Sequence, residues 1–483
     1  MNNDINKLVP KAIWKNFSDL NAVPRPSKKE EKVINFMLDF GKKLGLPTIK
    51  DKVGNVIITK PATVGMENRK TIILQSHLDM VCQKNNDTDF DFDTQGIQMY
   101  IDGDWVKAKG TTLGADNGIG VATIMGILES KDIPHPAIEA LFTIDEETGM
   151  TGAIGLEGGL LKGEILLNLD TEEDNEIDIG CAGGIDVTAH RVFSTTPFNG
   201  KAIKLEVKGL QGGHSGMDIH KGFGNANKIL TRFMYLGLNN HIQLIDINSG
   251  GLRNAIPREG IAIFNVADTD TFVKLASELK TQILDEFASI EKNLLINIET
   301  VTVTSVSNAI STNDSAQIIK ALHAAHNGVF RMSPDVSDLV EASNNLARVE
   351  LKDGHFKALN LTRSSVESTK LQVATQLKSC FELAGIQVDF SGSYPGWKPN
   401  MNSEILKVLV AIYEKQNQSK PEVVACHAGL ECGILGTNYP NMDMISYGPT
   451  IKGAHSPEER VSISSVEKFW KYTLEILENI PTK

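Results

Sequence analysis

The sequence predicts an α/β protein in which a domain with a mixed, largely parallel sheet is interrupted by an inserted α+β domain of two βαββαβ-like units. Three observations carry this expectation. The chain has 483 residues, more than one hydrophobic core ordinarily organises. Short apolar runs alternate with helical patterns up to about residue 184 and again from 397. Between those stretches the order of strand and helix signals changes. The expected divisions are 1–184 and 397–483 for the two parts of the α/β domain, and 185–396 for the insertion.

In chain order, Ser27-Lys-Lys-Glu30 reads as a capping box opening an amphipathic helix. Val33, Ile34, Met37, Phe40 and Leu44 recur in it at helical spacing, and Gly45 stops it. Strands are expected at 56–59, 71–75, 140–144 and 164–170, each a short apolar run suited to burial on both faces. GADNGIGVATIMGILES supplies a helix between two of them, which Asp116 opens and whose exposed N–H groups would help fix its carboxylate. From about Ile185 the signals run AIKLEVKG, a helix after Gly222, IQLIDIN, IAIFNVA, a long helix to about Asn293 and INIETVTVTS. A looser second copy follows, with a helix at 314–326, strands ARVELK and KALNLT, a helix near 368–384 and IQVDF. After PGWKPN the α/β pattern returns with a helix, VVACHAG, DMISYGP and a final helix from about Ser464.

Composition narrows the function. Apolar residues make up 41% and charged residues 22%, ordinary globular values, and no apolar run approaches a membrane span. Sixty acidic against 48 basic residues give a net charge of −12 without a long Lys/Arg cluster, which argues against electrostatic capture of nucleic acid or anionic lipid. A small substrate is expected instead. MNNDINKLVPKAIWKN lacks the apolar stretch and cleavage site of a secretory signal, so the cytoplasm is the expected compartment. Cys82, Cys181, Cys380, Cys426 and Cys432 form no CxxC and are expected as reduced thiols.

Motifs bearing His or acidic residues follow three expected strands: His77-Leu78-Asp79, Asp145-Glu146-Glu147 and Asp170. His455 lies in GAHSPEER, a loop-like segment after the last strand. Singly, His77 or His455 reads as an ordinary surface or hydrogen-bonded core histidine, Asp116 or Asp170 as a cap or turn residue, and Glu146-Glu147 as a solvated face. Five ligand-type residues at the strand ends of one domain read differently, because parallel strands gather ligands at their carboxyl ends. Two imidazoles and three carboxylates suit a pair of divalent ions, with one carboxylate bridging.

The ordered motifs HLD, GADNG, DEETG, NLD and GAHSPEER resemble the M20 metallopeptidase family, and within it the bacterial aminoacyl-histidine dipeptidases, across essentially the whole chain. That resemblance implies a zinc-peptidase-like catalytic domain and an inserted lid. It implies that His77 and Asp170 hold one metal, Glu147 and His455 the other, and that Asp116 bridges them. Asp79 would orient a ligand histidine, and Glu146 would act as general base. GLQGGHSGMDIH resembles the lid motif and nominates His214 for the oxyanion, while GGLRNAIPREG nominates Asn254 for substrate contact. Arg363, in LNLTRSS, offers a planar cationic fork for the substrate carboxylate.

HAGLECG resembles a further family loop, in which Glu431 would support the site, and His220 and His427 read as structural. Zinc is the expected metal, although cobalt and manganese accept the same ligands. The implied substrate is a dipeptide with C-terminal histidine, such as β-alanyl-histidine. The alternatives on the same scaffold are an N-acyl-amino-acid deacylase and a broader dipeptidase, and a binding protein without activity is the reading from another class. A homodimer is an assembly compatible with the chain.

Overall fold

A computed structural model describes residues 4–483, without the side chains of 304–306. The first three residues of the N-terminal stretch read for a secretory signal lie outside it. Two compact units divide the chain, one comprising Met1–Gly180, Pro399–Ala425 and Leu430–Lys483, the other Cys181–Lys398 and Cys426–Gly429.

The first unit is built on an eight-stranded mixed sheet. Its strands lie in the order Thr48–Lys50, Val56–Lys60, Ile138–Thr143, Ile72–His77, Ile165–Asn168, Asp443–Ser446, Glu176–Cys181 and Glu422–Cys426. The four central strands, from Ile138–Thr143 to Asp443–Ser446, run parallel to one another. Antiparallel strands close the Thr48–Lys50 edge. Every residue of Ile138–Thr143, Ile72–His77 and Ile165–Asn168 is buried, which is why these strands read as continuous apolar runs. The helix Ala115–Glu129 is buried on nearly all sides, as its largely apolar stretch from Ile119 to Leu128 requires. It departs from helical dihedrals at Asp116 and Asn117, whose shared peptide bond is cis.

One expectation is corrected in this unit. The helix Glu31–Lys43 forms and Gly45 turns left-handed after it, but the capping box does not close. Ser27 Oγ instead donates to Asp79 Oδ2 at 2.7 Å, and Glu30 Oε1 accepts the N–H groups of Lys28 and Asp145. A small second sheet, Ile451–Lys452, Arg460–Ser462, Trp105–Ala108 and Met99–Asp102, was not expected. Its first two strands form a hairpin whose loop carries His455.

The second unit is a nine-stranded antiparallel sheet packed against helices. Its first half orders as Leu295–Ile310, Thr195–Lys208, Gly260–Asn265 and Gln243–Gly250, with helices Ala226–Leu236 and Thr269–Glu286. The second half orders as Val340–Lys352, His355–Ser364, Gly183–Val192 and Gln387–Tyr394, with helices Thr312–Ala324 and Glu367–Leu383. The halves join edge to edge where Ile247–Gly250 pair with Arg348–Leu351. One buried cluster runs through both, including Phe233, Phe264, Phe272, Phe356 and Phe381.

The strand missing from the expected second copy is Gly183–Val192, which precedes the whole first copy in sequence. It pairs with both His355–Ser364 and Gln387–Tyr394. A further short strand, Gly328–Met332, pairs with Val340–Lys352.

None of the five cysteines forms a disulfide. Among the described residues no helix is long and apolar enough to cross a membrane.

Candidate metal centre

Three neighbouring parallel strands deliver most of the site from their carboxyl ends. His77 is the last residue of its strand, Asp145-Glu146-Glu147 follows Thr143, and Asp170 follows Asn168 by two residues. Their side chains meet Asp116, from the entry to the buried helix, and His455, from the hairpin loop. His77 Nε2 lies 3.1 Å from Asp116 Oδ1 and 3.6 Å from Asp170 Oδ1. His455 Nε2 lies 3.2 Å from Asp116 Oδ2 and 2.9 Å from Glu147 Oε2. Asp116 therefore turns one oxygen to each imidazole. His77, Asp116 and Asp170 form one group of ligand atoms within 4.8 Å of one another, and Asp116, Glu147 and His455 form another. His77, Glu146 and Glu147 make a third.

This set fits two cations. Asp170 and Glu147 are buried among like charges, and Glu147 Oε1 is buried without a hydrogen-bond partner. Protonation reports the same excess of negative charge. Burial and the charges of Asp116 and Glu147, against the pull of His77, push the Asp170 carboxyl up to about 7. Desolvation, with Asp170, Glu431 and Glu147 nearby, holds Glu146 well above the carboxylate range against the opposing His77. Hydrogen bonds to Asp116 and Glu147 push the His455 imidazole up to about 11. Burial opposes the charged form of His77, but Asp170 and the hydrogen bonds to Asp116 and Asp79 outweigh it. The cluster keeps protons where positive charge is needed, and divalent ions can take their place.

Supporting contacts set the geometry. His77 Nδ1 is 3.1 Å from the Asp79 carbonyl and 3.4 Å from its Oδ1, which leaves Nε2 facing Asp116. The Asp79 carboxylate accepts the N–H groups of Glu146 at 3.0 Å and Glu147 at 3.2 Å. Asp145, in a left-handed conformation with φ 54°, accepts hydrogen bonds from the Thr148 and Thr151 hydroxyls and so fixes the turn that presents the two glutamates. Asn117 Nδ2 donates to Asp170 Oδ1 and to the Leu169 carbonyl. Glu431 is fully buried, accepts from Gln75 and Thr143 at 2.6 Å each, and is pushed up to about 8 by burial.

Sequence reasoning missed two residues here. The N–H groups of residues 113–116 are taken by the Glu459 carboxylate and not by Asp116 itself, a correction to the expected role of those amides. The Arg25 guanidinium donates to the carbonyls of Leu78, Asp79 and Gly114. The available signal was the position of Glu459 four residues after His455 in the same motif.

His214, Asn254 and Arg363 all belong to the second unit. His214 Nδ1 accepts the N–H groups of Gly216 and Met217, so its hydrogen sits on Nε2. Burial, and then the charge of Arg363, lowers its pKa and keeps it a neutral donor. Asn254 is exposed, and its carbonyl accepts the Ser215 N–H at 2.8 Å beside a bridge between His214 and Ala255. Arg363 is buried, donates to the Tyr394 hydroxyl at 2.9 Å and leaves Nε unpartnered. His427 is buried with Nε2 2.8 Å from Ser343 Oγ, while His220 is exposed.

The model of peptidase family M20/M25/M40 matches residues 73–479. A cytosol non-specific dipeptidase from Escherichia coli (strain K12) is 43% identical over 485 residues, covering 99% of this chain and 100% of that protein. The crystal structure of an aminoacylhistidine dipeptidase from Vibrio alginolyticus shares 45% identity with a TM-score of 0.93, covering 99% of this chain and 98% of the other. An aminopeptidase from Bacillus cereus, at 17% identity and a TM-score of 0.62 over 98% of this chain and 99% of its own, shares the fold.

Proposed function

Because the chain belongs to peptidase family M20/M25/M40 and its reaction is peptide-bond hydrolysis, we propose that it is a two-metal dipeptidase whose substrates include Xaa-His dipeptides. The observation that carries the metal reading is the pair of ligand groups sharing Asp116, one with His77 and Asp170, the other with Glu147 and His455. Zinc suits this mix of imidazole and carboxylate. The two relatives named as dipeptidases, one non-specific and one for aminoacylhistidine, support the substrate class. The first of them, named for the cytosol, supports a cytoplasmic enzyme.

Divalent ions at the site would supply Lewis-acid charge to the scissile carbonyl and make the attacking water more acidic. Glu146 takes the proton from that water as oxygen adds to the carbonyl carbon. It returns the proton to the departing amine nitrogen as the C–N bond breaks. Asp79 does not touch the reacting atoms; it aligns His77 through Nδ1 and fixes the Glu146 backbone. His214, neutral with hydrogen on Nε2, donates to the developing oxyanion. Arg363, held by Tyr394, pairs with the substrate's terminal carboxylate, and Asn254 contacts the substrate backbone.

The test is a turnover panel on zinc-loaded protein, comparing β-alanyl-histidine, other dipeptides, tripeptides and N-acetyl amino acids, together with metal stoichiometry. Cleavage of dipeptides, Xaa-His among them, with two bound ions is the expected result. Preferential hydrolysis of N-acetyl amino acids would move the assignment to a deacylase.

A further inference from the structure

We propose that Arg25 and Glu459 are positioning residues that hold the Asp116 loop in its bridging form before any cation arrives, an inference that rests on the two-metal reading of the site. Glu459 Oε2 accepts the N–H groups of Leu113 at 2.7 Å and Gly114 at 2.9 Å. Its Oε1 accepts those of Ala115 at 2.7 Å and Asp116 at 3.2 Å. Across the same loop, Arg25 Nη2 donates to the Gly114 carbonyl at 2.6 Å and to Asn21 Oδ1 at 3.0 Å. Arg25 Nη1 reaches the carbonyls of Leu78 and Asp79, each at 3.1 Å. Gly114 is thus gripped by its N–H from the carboxylate and by its C=O from the guanidinium.

Glu459 and Arg25 are almost wholly buried, at 2% and 1% exposure. Isolated burial of this kind is costly, and here the backbone groups of one loop and one turn offset it. What those groups have in common is the metal centre. The amides end at Asp116. Two of the carbonyls belong to the turn carrying His77 and Asp79, and the third is that of Gly114 in the Asp116 loop; Asp79 in turn orders Glu146 and Glu147. Glu459 lies in the hairpin loop that presents His455.

Glycines make room for the clamp. Gly114 has φ +69°, and a Cβ there would collide with Arg25 Nη2, while one at Gly118 would lie 2.7 Å from the same atom. The glycines of the GADNG motif therefore seat a guanidinium from the N-terminal part of the chain. Neither Arg25 nor Glu459 belongs to the ligand groups, so their effect on a cation passes through Asp116, His77 and His455.

Two measurements test this on the full-length chain. In metal-stripped protein, amide hydrogen exchange at residues 113–116 should be as slow as in the central strands. Exchange at the rate of an exposed loop would overturn the proposal, whether or not any variant folds. In Glu459→Gln an NH2 group faces amide N–H groups, and Arg25→Lys keeps the charge but loses the fork. Each should weaken zinc binding about tenfold or more in competition with a chromophoric chelator, and lower kcat with little change in KM. Folded variants that bind zinc as the parent does, with only a lower Tm, would reduce the pair to a structural role and overturn the proposal. A parent that fails to bind two zinc ions would instead sink the two-metal reading and leave the exchange result standing on its own.

Discussion

Glu146 and Glu147 are adjacent in sequence but take different tasks in the proposed mechanism. Glu147 Oε2 meets His455 at 2.9 Å, whereas Glu146 makes no such pairing with that imidazole. Glu146→Ala is therefore expected to retain both metals and to lose turnover by about 10²–10⁴-fold, the range of a general base. Metal analysis beside steady-state kinetics checks this, and undiminished turnover would remove Glu146 from the mechanism. A second residue gives a pH signature. Burial, with Arg363, His220 and His214 nearby, pulls the His427 imidazole down to about 3 from an ordinary value of 6.5. The folded state then takes up its proton later than the unfolded chain. The associated stability is fully present above about pH 6.5 and is lost progressively as pH falls toward 3. Urea unfolding at about pH 7.5 and about pH 5 should show a smaller loss in His427→Gln than in the parent. Equal losses would mean that His427 titrates normally in the folded protein.

At the level of elements, the buried helix Ala115–Glu129 packs closely because of Gly120. A Cβ there would be pressed against Asn117 Oδ1, Ser76 Oγ and the Leu169 carbonyl. Gly120→Ala should cost about 1–3 kcal/mol through overpacking, and should weaken metal binding because Asn117 also holds Asp170. Unchanged urea midpoint and zinc affinity would refute that packing account. The same helix shows how far the sequence could be read. Its existence and the strands around it were legible because each is an apolar run of characteristic length. His77, Asp116, Glu147, Asp170 and His455 could be nominated because their motifs keep a recognisable order. Glu459 was passed over although it shares a motif with His455, since a carboxylate that binds backbone amides leaves no pattern of partner side chains. Ser27 misled because a hydroxyl placed for a helix cap is equally placed to reach Asp79, and only the fold decides between them. The strand Gly183–Val192 was hidden for another reason, as a repeat whose first element is displaced in sequence cannot be found by reading neighbours.

On the scale of the whole molecule, the five nominated ligands all lie in the first unit, and the second unit has its own core. Zinc added to stripped protein should raise the unfolding temperature of the first unit by mass action and leave that of the second where it was. Scanning calorimetry with and without chelator, assigned by hydrogen exchange, reads this directly. A shift spread equally over both units would show that they unfold as one. The displaced strand carries a further consequence for synthesis. Gly183–Val192 leaves the ribosome ahead of the complete first half of its sheet, and well before His355–Ser364 and Gln387–Tyr394, between which it lies. The first half can pair within itself as it emerges, but this strand must wait with both edges open in the nascent chain. That interval is when the molecule is most open to mispairing with another copy of itself. A chain truncated before residue 355 would never leave it.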